Sequence, residues 1–268
     1  MKLSQLLNYS VGRVLCFLAV TGLLTPTSAQ TETAQPANAQ SANNVLLVHG
    51  AWADGSSWAK VIPRLTAAGL NVVAVQIPLT SLADDVAATE RALALVDGPV
   101  LLVGHSYGGA VITEAGNDSK VVGLVFVAAF APDKGESSLS LATANPTPGG
   151  GEIRPDKSGF LKLTPTGIFE DFAQDLSKAK KTILNATQVP IAAAALGAPA
   201  QRPSWKTKPT WFVIAANDRA VSPQLEAMEA MRMNATTITV PTSHVAMLAA
   251  PERIARFIMQ AAGKSDER

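Results

Sequence analysis

The sequence predicts an α/β fold, a mostly parallel sheet with helices on both faces, interrupted by an inserted helical cap. Three observations predict it. Short runs of aliphatic and β-branched residues recur without polar alternation, as in strands covered on both faces. Helical patterns separate these runs, which is the rhythm of successive strand–helix–strand units. That rhythm lapses between residues 131 and 208 and then resumes.

Ahead of the first unit lies a stretch that reads as a targeting segment. Lys2 and Arg13 give it a positive start, Val14 to Leu24 is apolar, and Thr27-Ser28-Ala29 offers small residues for cleavage. The apolar part is about half the ~20 residues that a membrane-spanning helix needs. Residues 1–29 are therefore expected to be a cleaved signal peptide rather than an anchor, leaving a secreted or periplasmic protein. Residues 30–43 lack apolar periodicity and read as a flexible leader. The folded domain is expected over 44–268, with 131–208 as its cap.

Val45-Leu46-Leu47-Val48 is the first buried strand, and it leads into His49-Gly50-Ala51-Trp52. Asp54-Gly55-Ser56-Ser57 supplies N-cap chemistry for a helix through Trp58, Val61, Ile62 and Leu65, with Pro63 tolerable in a first turn and Gly69 as the stop. Asn71 to Gln76 is the second strand. Ser81-Leu82-Ala83-Asp84 resembles a capping box with Asp in place of Glu, opening a helix with Leu82, Val86, Leu93 and Val96 at helical spacing. Asp84 and Asp85 read as first-turn charges that suit the helix dipole. Val100 to Val103 is the third strand, and Val121 to Val127 is another.

Between Ala131 and Lys208 no strong strand pattern stands out. A Pro- and Gly-rich loop at 145–151 precedes amphipathic pieces around Ile168, Phe169, Phe172, Leu176 and Ile183. Roughly eighty residues are too many for a bare loop in a compact domain, so a cap is expected here. The sheet pattern returns at Thr210 to Ala215. Ser222-Pro223 caps a helix through Leu225, Met228 and Met231, which Asn234 stops. Thr236 to Val240 is the last strand, and a final helix runs from about Pro251 through Ile254, Phe257 and Ile258.

With 268 residues, 47% hydrophobic and a formal net charge of +1, the chain fits one domain with a large core. No clustered basic surface is visible, which argues against nucleic acid as a partner. The one cysteine, Cys16, lies in the targeting segment, so the mature chain has no thiol for a Cys nucleophile, an iron–sulfur cluster or a cysteine zinc site. Nothing in the sequence calls for a metal or another cofactor.

The chemistry is concentrated where the third strand ends in Gly104-His105-Ser106-Tyr107-Gly108 and passes directly into a helix. A Gly-x-Ser-x-Gly turn between strand and helix brings the two backbones close together and holds Ser106 in a strained, exposed conformation. A serine hydroxyl needs a base within hydrogen-bond reach and a third group to fix that base. Of the three histidines, His49 and His105 sit inside tight turns, while His244 stands in a loop after the last strand. His244 is therefore the candidate base. Asp218, just past the strand ending at Ala215, is the candidate orienting acid, and Asp133, past the strand that ends near Phe130, is its competitor. The backbone N–H groups of Ala51 and Tyr107 are the expected oxyanion donors, with Gly50 letting the chain bend. Trp52 either lines the acyl pocket or packs on the cap; Gly50 and Trp52 are the expected substrate-contacting residues.

Taken in order, His49-Gly50-Ala51-Trp52, Gly104-His105-Ser106-Tyr107-Gly108-Gly109, Ala215-Ala216-Asn217-Asp218-Arg219 and Ser243-His244-Val245-Ala246-Met247-Leu248 resemble the α/β-hydrolase superfamily. Within it the chain is similar to small bacterial carboxylesterases and to the plant methyl esterase and hydroxynitrile lyase group. The lyases of that group carry a threonine where this chain has Gly50 and a lysine where it has Val245, so the resemblance points away from lyase chemistry. It implies a serine esterase that acts on a small-molecule ester through an acyl-enzyme. Lactone or thioester hydrolysis and perhydrolysis would use the same residues, and a non-catalytic receptor would keep the fold and the pocket.

Overall fold

The computed structural model describes residues 41–264. The targeting segment and leader residues 30–40 lie outside the described residues. Ser41 to Asn43, assigned from sequence to the leader, are already part of the fold. Ala42 is buried and its N–H donates to Ala262 O, while Asn43 and Asn44 both donate to Pro99 O.

The alternation of apolar runs and helical patterns is realised as β1 (Asn44–Val48), α1 (Ile62–Ala67), β2 (Asn71–Val75), α2 (Leu82–Ala94), β3 (Val100–His105), α3 (Gly108–Ala115) and β4 (Val121–Val127). The chain then enters the insertion, with α4 (Ser138–Ala144), β5 (Ile153–Pro155), β6 (Phe160–Leu163), a π-helical turn at Gly167–Phe172, α5 (Lys178–Thr187), β7 (Ile191–Ala192) and α6 (Ala193–Gly197). It returns through β8 (Thr210–Ala215), α7 (Pro223–Arg232), β9 (Thr236–Val240), α8 (Ala246–Ala249) and α9 (Pro251–Ala261). Among the described residues the main sheet has the order β2-β1-β3-β4-β8-β9, and every pairing in it is parallel. Helices flank it, α2 packing against α3 and α1 against α9.

This topology places the site. From β1 the chain steps outward to β2, then crosses back to β3 and proceeds the other way, so the order reverses between β1 and β3. In an open parallel sheet, ligands bind outside the carboxyl ends of the strands at such a reversal. Val48 is paired with Gly104, so the loop after β1 and the turn after β3 leave the sheet side by side.

The local signals are mostly realised. Ser81 Oγ accepts from Asp84 N at the start of α2, Ser222 Oγ caps α7 with Pro223 behind it, and Pro63 falls in the first turn of α1. The helix expected from Asp54 onward is broken in two. Asp54 caps a short 3-10 helix, Gly55–Trp58, and α1 begins only at Ile62.

The cap is not purely helical. A three-stranded antiparallel sheet, β5-β6-β7, forms one wall of it. Its strands are four residues or shorter. Runs of that length are too brief to display a period of two, which is why the sequence reads as strandless there.

A second difference concerns α7. The expected apolar positions Met228 and Met231 are 51% and 79% exposed, whereas Glu226 and Glu229 are buried beside Leu225 and Ala230.

Candidate active site

Ser106 sits at the turn between β3 and α3 with φ +54°, the left-handed region that costs a β-carbon-bearing residue energy. The conformation is held by hydrogen bonds on both sides: Ser106 N donates to Val127 O, and Ser106 O accepts from Gly109 N and Phe130 N. Close approach explains the flanking glycines. A Cβ at Gly108 would lie 2.7 Å from the carbonyl oxygens of both Val48 and His49. Gly50 is constrained the same way, since a Cβ there would sit 2.6 Å from Ser106 Cβ. Its φ lies outside the left-handed region, so Gly50 gives clearance to the serine rather than a bend to the loop, and it does not line the cavity.

His244 lies in the loop between β9 and α8, wholly buried. Its Nδ1 is 2.6 Å from Asp218 Oδ2, while the other oxygen of Asp218 accepts from Ala220 N at 2.7 Å and Val221 N at 2.9 Å. The second ring nitrogen, Nε2, is buried and has no partner. Asp133 takes no part; it pairs with Lys206 at 2.5 Å and accepts from Lys134 N. Of the two candidate acids, the structure brings Asp218 to His244.

The other two histidines are supports. His49 Nδ1 contacts Gly50 O at 2.9 Å and its Nε2 accepts from Ile77 N at 3.2 Å, which ties the loop after β1 to the segment after β2. His105 Nε2 donates to the carbonyl of His244 at 3.0 Å, and the two rings lie 4.6 Å apart. Burial lowers the pKa of both rings, that of His105 far below the ordinary range, with the nearby His244 adding to the effect. His105 thus sits beneath the elbow as a neutral strut under the His244 backbone.

Several contributors escaped sequence reasoning. Asp85, read as a first-turn charge that suits the helix dipole, is fully buried: it accepts from Leu79 N at 2.6 Å and from the Tyr107 hydroxyl at 2.7 Å. Burial raises its pKa to about 6 against the opposing effect of these two hydrogen bonds. A readable signal existed, because Asp85 falls in step with Leu82, Thr89 and Leu93, the buried stripe of α2.

Cap residues 171–175 form a clamp over both loops. Asp171 pairs with Arg219, Gln174 donates to Asn217 O, and Asp175 accepts from both Ser243 N and Ser243 Oγ. Phe172 packs 5.0 Å from the His244 ring and edge-on to Trp52.

Ser106 and His244 open into one cavity of about 520 Å³ together with Ala51, Trp52 and Tyr107. Its walls come from Phe130, Ala220 and Val221 of the main domain and from Leu139, Ala142, Ile153 and Leu196 of the cap. Among the described residues no carboxylate, lysine or arginine lines it. Trp52 combines both roles considered for it: it lines the cavity, and its indole N–H donates to Leu161 O of the cap at 2.9 Å. Of the cap's other large apolar residues, Leu163, Phe172 and Leu176 are spent on burial in the core. Among the described residues no cluster of three His, Cys, Asp or Glu could hold a metal ion.

Comparison with known proteins agrees with this architecture. The sequence model of a family described as the alpha/beta hydrolase family matches residues 45–257. A curated relative named probable hydrolase R7, from Phoma sp., is 25% identical over 246 residues, 82% of this chain and 98% of that protein. A carbendazim hydrolyzing esterase from Nocardioides sp. is 34% identical over a local match of 114 residues, 37% of this chain and 46% of that protein. The crystal structure of a pyrethroid hydrolase from Sphingobium faniae superimposes with a TM-score of 0.73 over 85% of this chain and 100% of that one; at 21% identity this likeness speaks for the fold alone.

Proposed function

The chain belongs to the alpha/beta hydrolase family, and on that premise we propose that it is a serine hydrolase of uncharged carboxylic esters, with Ser106 as nucleophile, His244 as general base and Asp218 as the orienting acid. The observation that carries this reading is the 2.6 Å contact of His244 Nδ1 with Asp218, on a histidine that has Nε2 free and shares a cavity with Ser106. The relatives named as a hydrolase and an esterase support the reaction class.

In this mechanism Ser106 Oγ attacks the ester carbonyl as its proton passes to His244 Nε2. Asp218 stabilises the imidazolium through Nδ1–H, and the N–H groups of Ala51 and Tyr107 hold the oxyanion. Collapse of the tetrahedral intermediate expels the alcohol, which takes the proton back from His244. Water, deprotonated by the same nitrogen, then releases the acid and restores Ser106. The uncharged walls and the volume of about 520 Å³ favour neutral esters with short to medium acyl chains.

The test is hydrolysis of a p-nitrophenyl ester series, from acetate to palmitate, by the chain without residues 1–29 and by its Ser106→Ala variant. Expected is a rate that peaks below the longest chain and falls about 10³-fold or more on removal of the hydroxyl. Equal turnover by the variant would remove Ser106 from the mechanism.

A further inference from the structure

Among the described residues, Glu226 is a buried carboxyl in contact with the candidate triad that keeps one oxygen without a partner. It is fully buried on α7, and its Oε2 accepts from Ala215 N, the last residue of β8, at 2.8 Å. Its Oε1 is buried with no donor in reach. What adjoins it is Asp218, within side-chain hydrogen-bond contact.

Among the described residues no basic group acts on Glu226. On its own helix Glu226 faces Glu229, itself an acid, whose companion is Arg232 at 3.7 Å. The nearest basic group in the β8–α7 loop, Arg219, is engaged by Asp171. From the β9–α8 loop comes His244, bound to Asp218 Oδ2. Two like charges in contact away from water cannot both persist, so one carboxyl holds a proton. Asp218 accepts three N–H groups and Glu226 only one, which assigns the negative charge to Asp218 and the proton to Glu226. Burial first, and the Asp218 charge second, push the Glu226 pKa well above the carboxylate range.

We propose that Glu226 is a positioning residue, a neutral carboxylic acid whose Oε1–H donates to Asp218 and so completes a chain Glu226–Asp218–His244 behind the nucleophile. The inference rests on Asp218 and His244 serving as proposed above. A fourth hydrogen bond fixes the plane of the Asp218 carboxylate and draws negative charge from the group that His244 faces. The His244 imidazole then faces a carboxylate that already shares its charge with Glu226.

The experiment has two independent readouts. The first is the infrared carbonyl band of protonated carboxylic acids at neutral pH, compared between the wild type, Glu226→Gln and, as a reference for the neighbouring acid, Glu229→Gln. Glu226→Gln should remove a band that Glu229→Gln leaves in place. The second is the pH profile of kcat/KM on a p-nitrophenyl ester. Glu226→Leu, which lacks a donor, should move the acidic limb upward by about 0.5 unit or more. Glu226→Gln, which keeps an acceptor for Ala215 N and a donor for Asp218, should restore the wild-type limb. An infrared spectrum unchanged by Glu226→Gln overturns the proposal even if Glu226→Leu fails to fold, and so does equal loss of rate in both variants with an unmoved limb. The band requires no turnover, so failure of the esterase reading would leave it intact and the two failures stay separable.

Discussion

α7 and α9 are built on one plan and bury opposite kinds of side chain. They contain 10 and 11 residues, both open with Pro in the first turn, and both pack on the main domain. α9 buries Ile254, Ala255, Phe257 and Ile258, as an amphipathic helix should. α7 turns Glu226 and Glu229 inward and leaves Met228 and Met231 outside. The difference follows from what each helix covers. α7 lies behind the loops at the carboxyl ends of β4 and β8, where peptide groups leave the sheet, and its two glutamates accept from Ala131 N and Ala215 N. Leaving such buried donors unmet costs more than an apolar contact would return. One helix therefore serves the core and the other serves the site.

The largest expected effect sharpens the α9 side. Phe257 is almost fully buried, so Phe257→Ala should cost about 3–5 kcal/mol through lost transfer energy and an unfilled cavity. The urea midpoint would report this loss. The pH profile of kcat/KM should keep its shape, because Phe257 packs in the apolar core and takes no part in the hydrogen bonds of Asp218 and His244. A displaced profile would mean that α9 also acts on the site and would dissolve the contrast.

The next effect belongs to α7. Burial raises the Glu229 pKa to about 8 from 4.5. The folded chain then keeps a proton that the unfolded chain releases. The associated stability is fully present below pH about 4.5 and is lost as pH rises through about 8. Across that window the wild type should lose up to ~1.4 kcal/mol per pH unit from this group. Glu229→Gln keeps an acceptor for Ala131 N and has no proton to lose, so its unfolding free energy should vary less with pH. Parallel pH slopes for the two proteins in denaturant titrations would assign the buried proton elsewhere.

The same contrast explains what the sequence discloses. Strands of four aliphatic residues or more, the Ser106 turn, and Asp218 and His244 after their strands are all legible, because each rests on local spacing or on a position at a strand end. Asp85, Glu226 and Glu229 escape a reading by residue type, because polarity alone sends a carboxylate to solvent, and only the partner donors on Leu79, Ala215 and Ala131 reverse that preference. Helical phase carries the missing information: 225, 226, 229, 230 and 233 share one face of α7, whereas 228 and 231 do not. The cap clamp at Asp171 to Asp175 has no local signature, since its partners lie about fifty and seventy residues away along the chain.

The smallest expected effect tests whether that phase is right. Met231 is 79% exposed in the last turn of α7. Met231→Lys removes little burial and adds a positive charge where the helix dipole favours one, so stability should change by no more than about 0.5 kcal/mol. The measurement is the urea midpoint beside that of Phe257→Ala. On a helix rotated to bury its methionines, a lysine at 231 would strand a charge in the core and the midpoint would drop sharply. That outcome would carry Glu226 and Glu229 out to solvent, and the neutral acid behind Asp218 would go with them. A silent substitution at 231 therefore supports the inward acids more directly than any loss of function can, because it fixes the orientation of α7 without touching the groups whose roles are at issue.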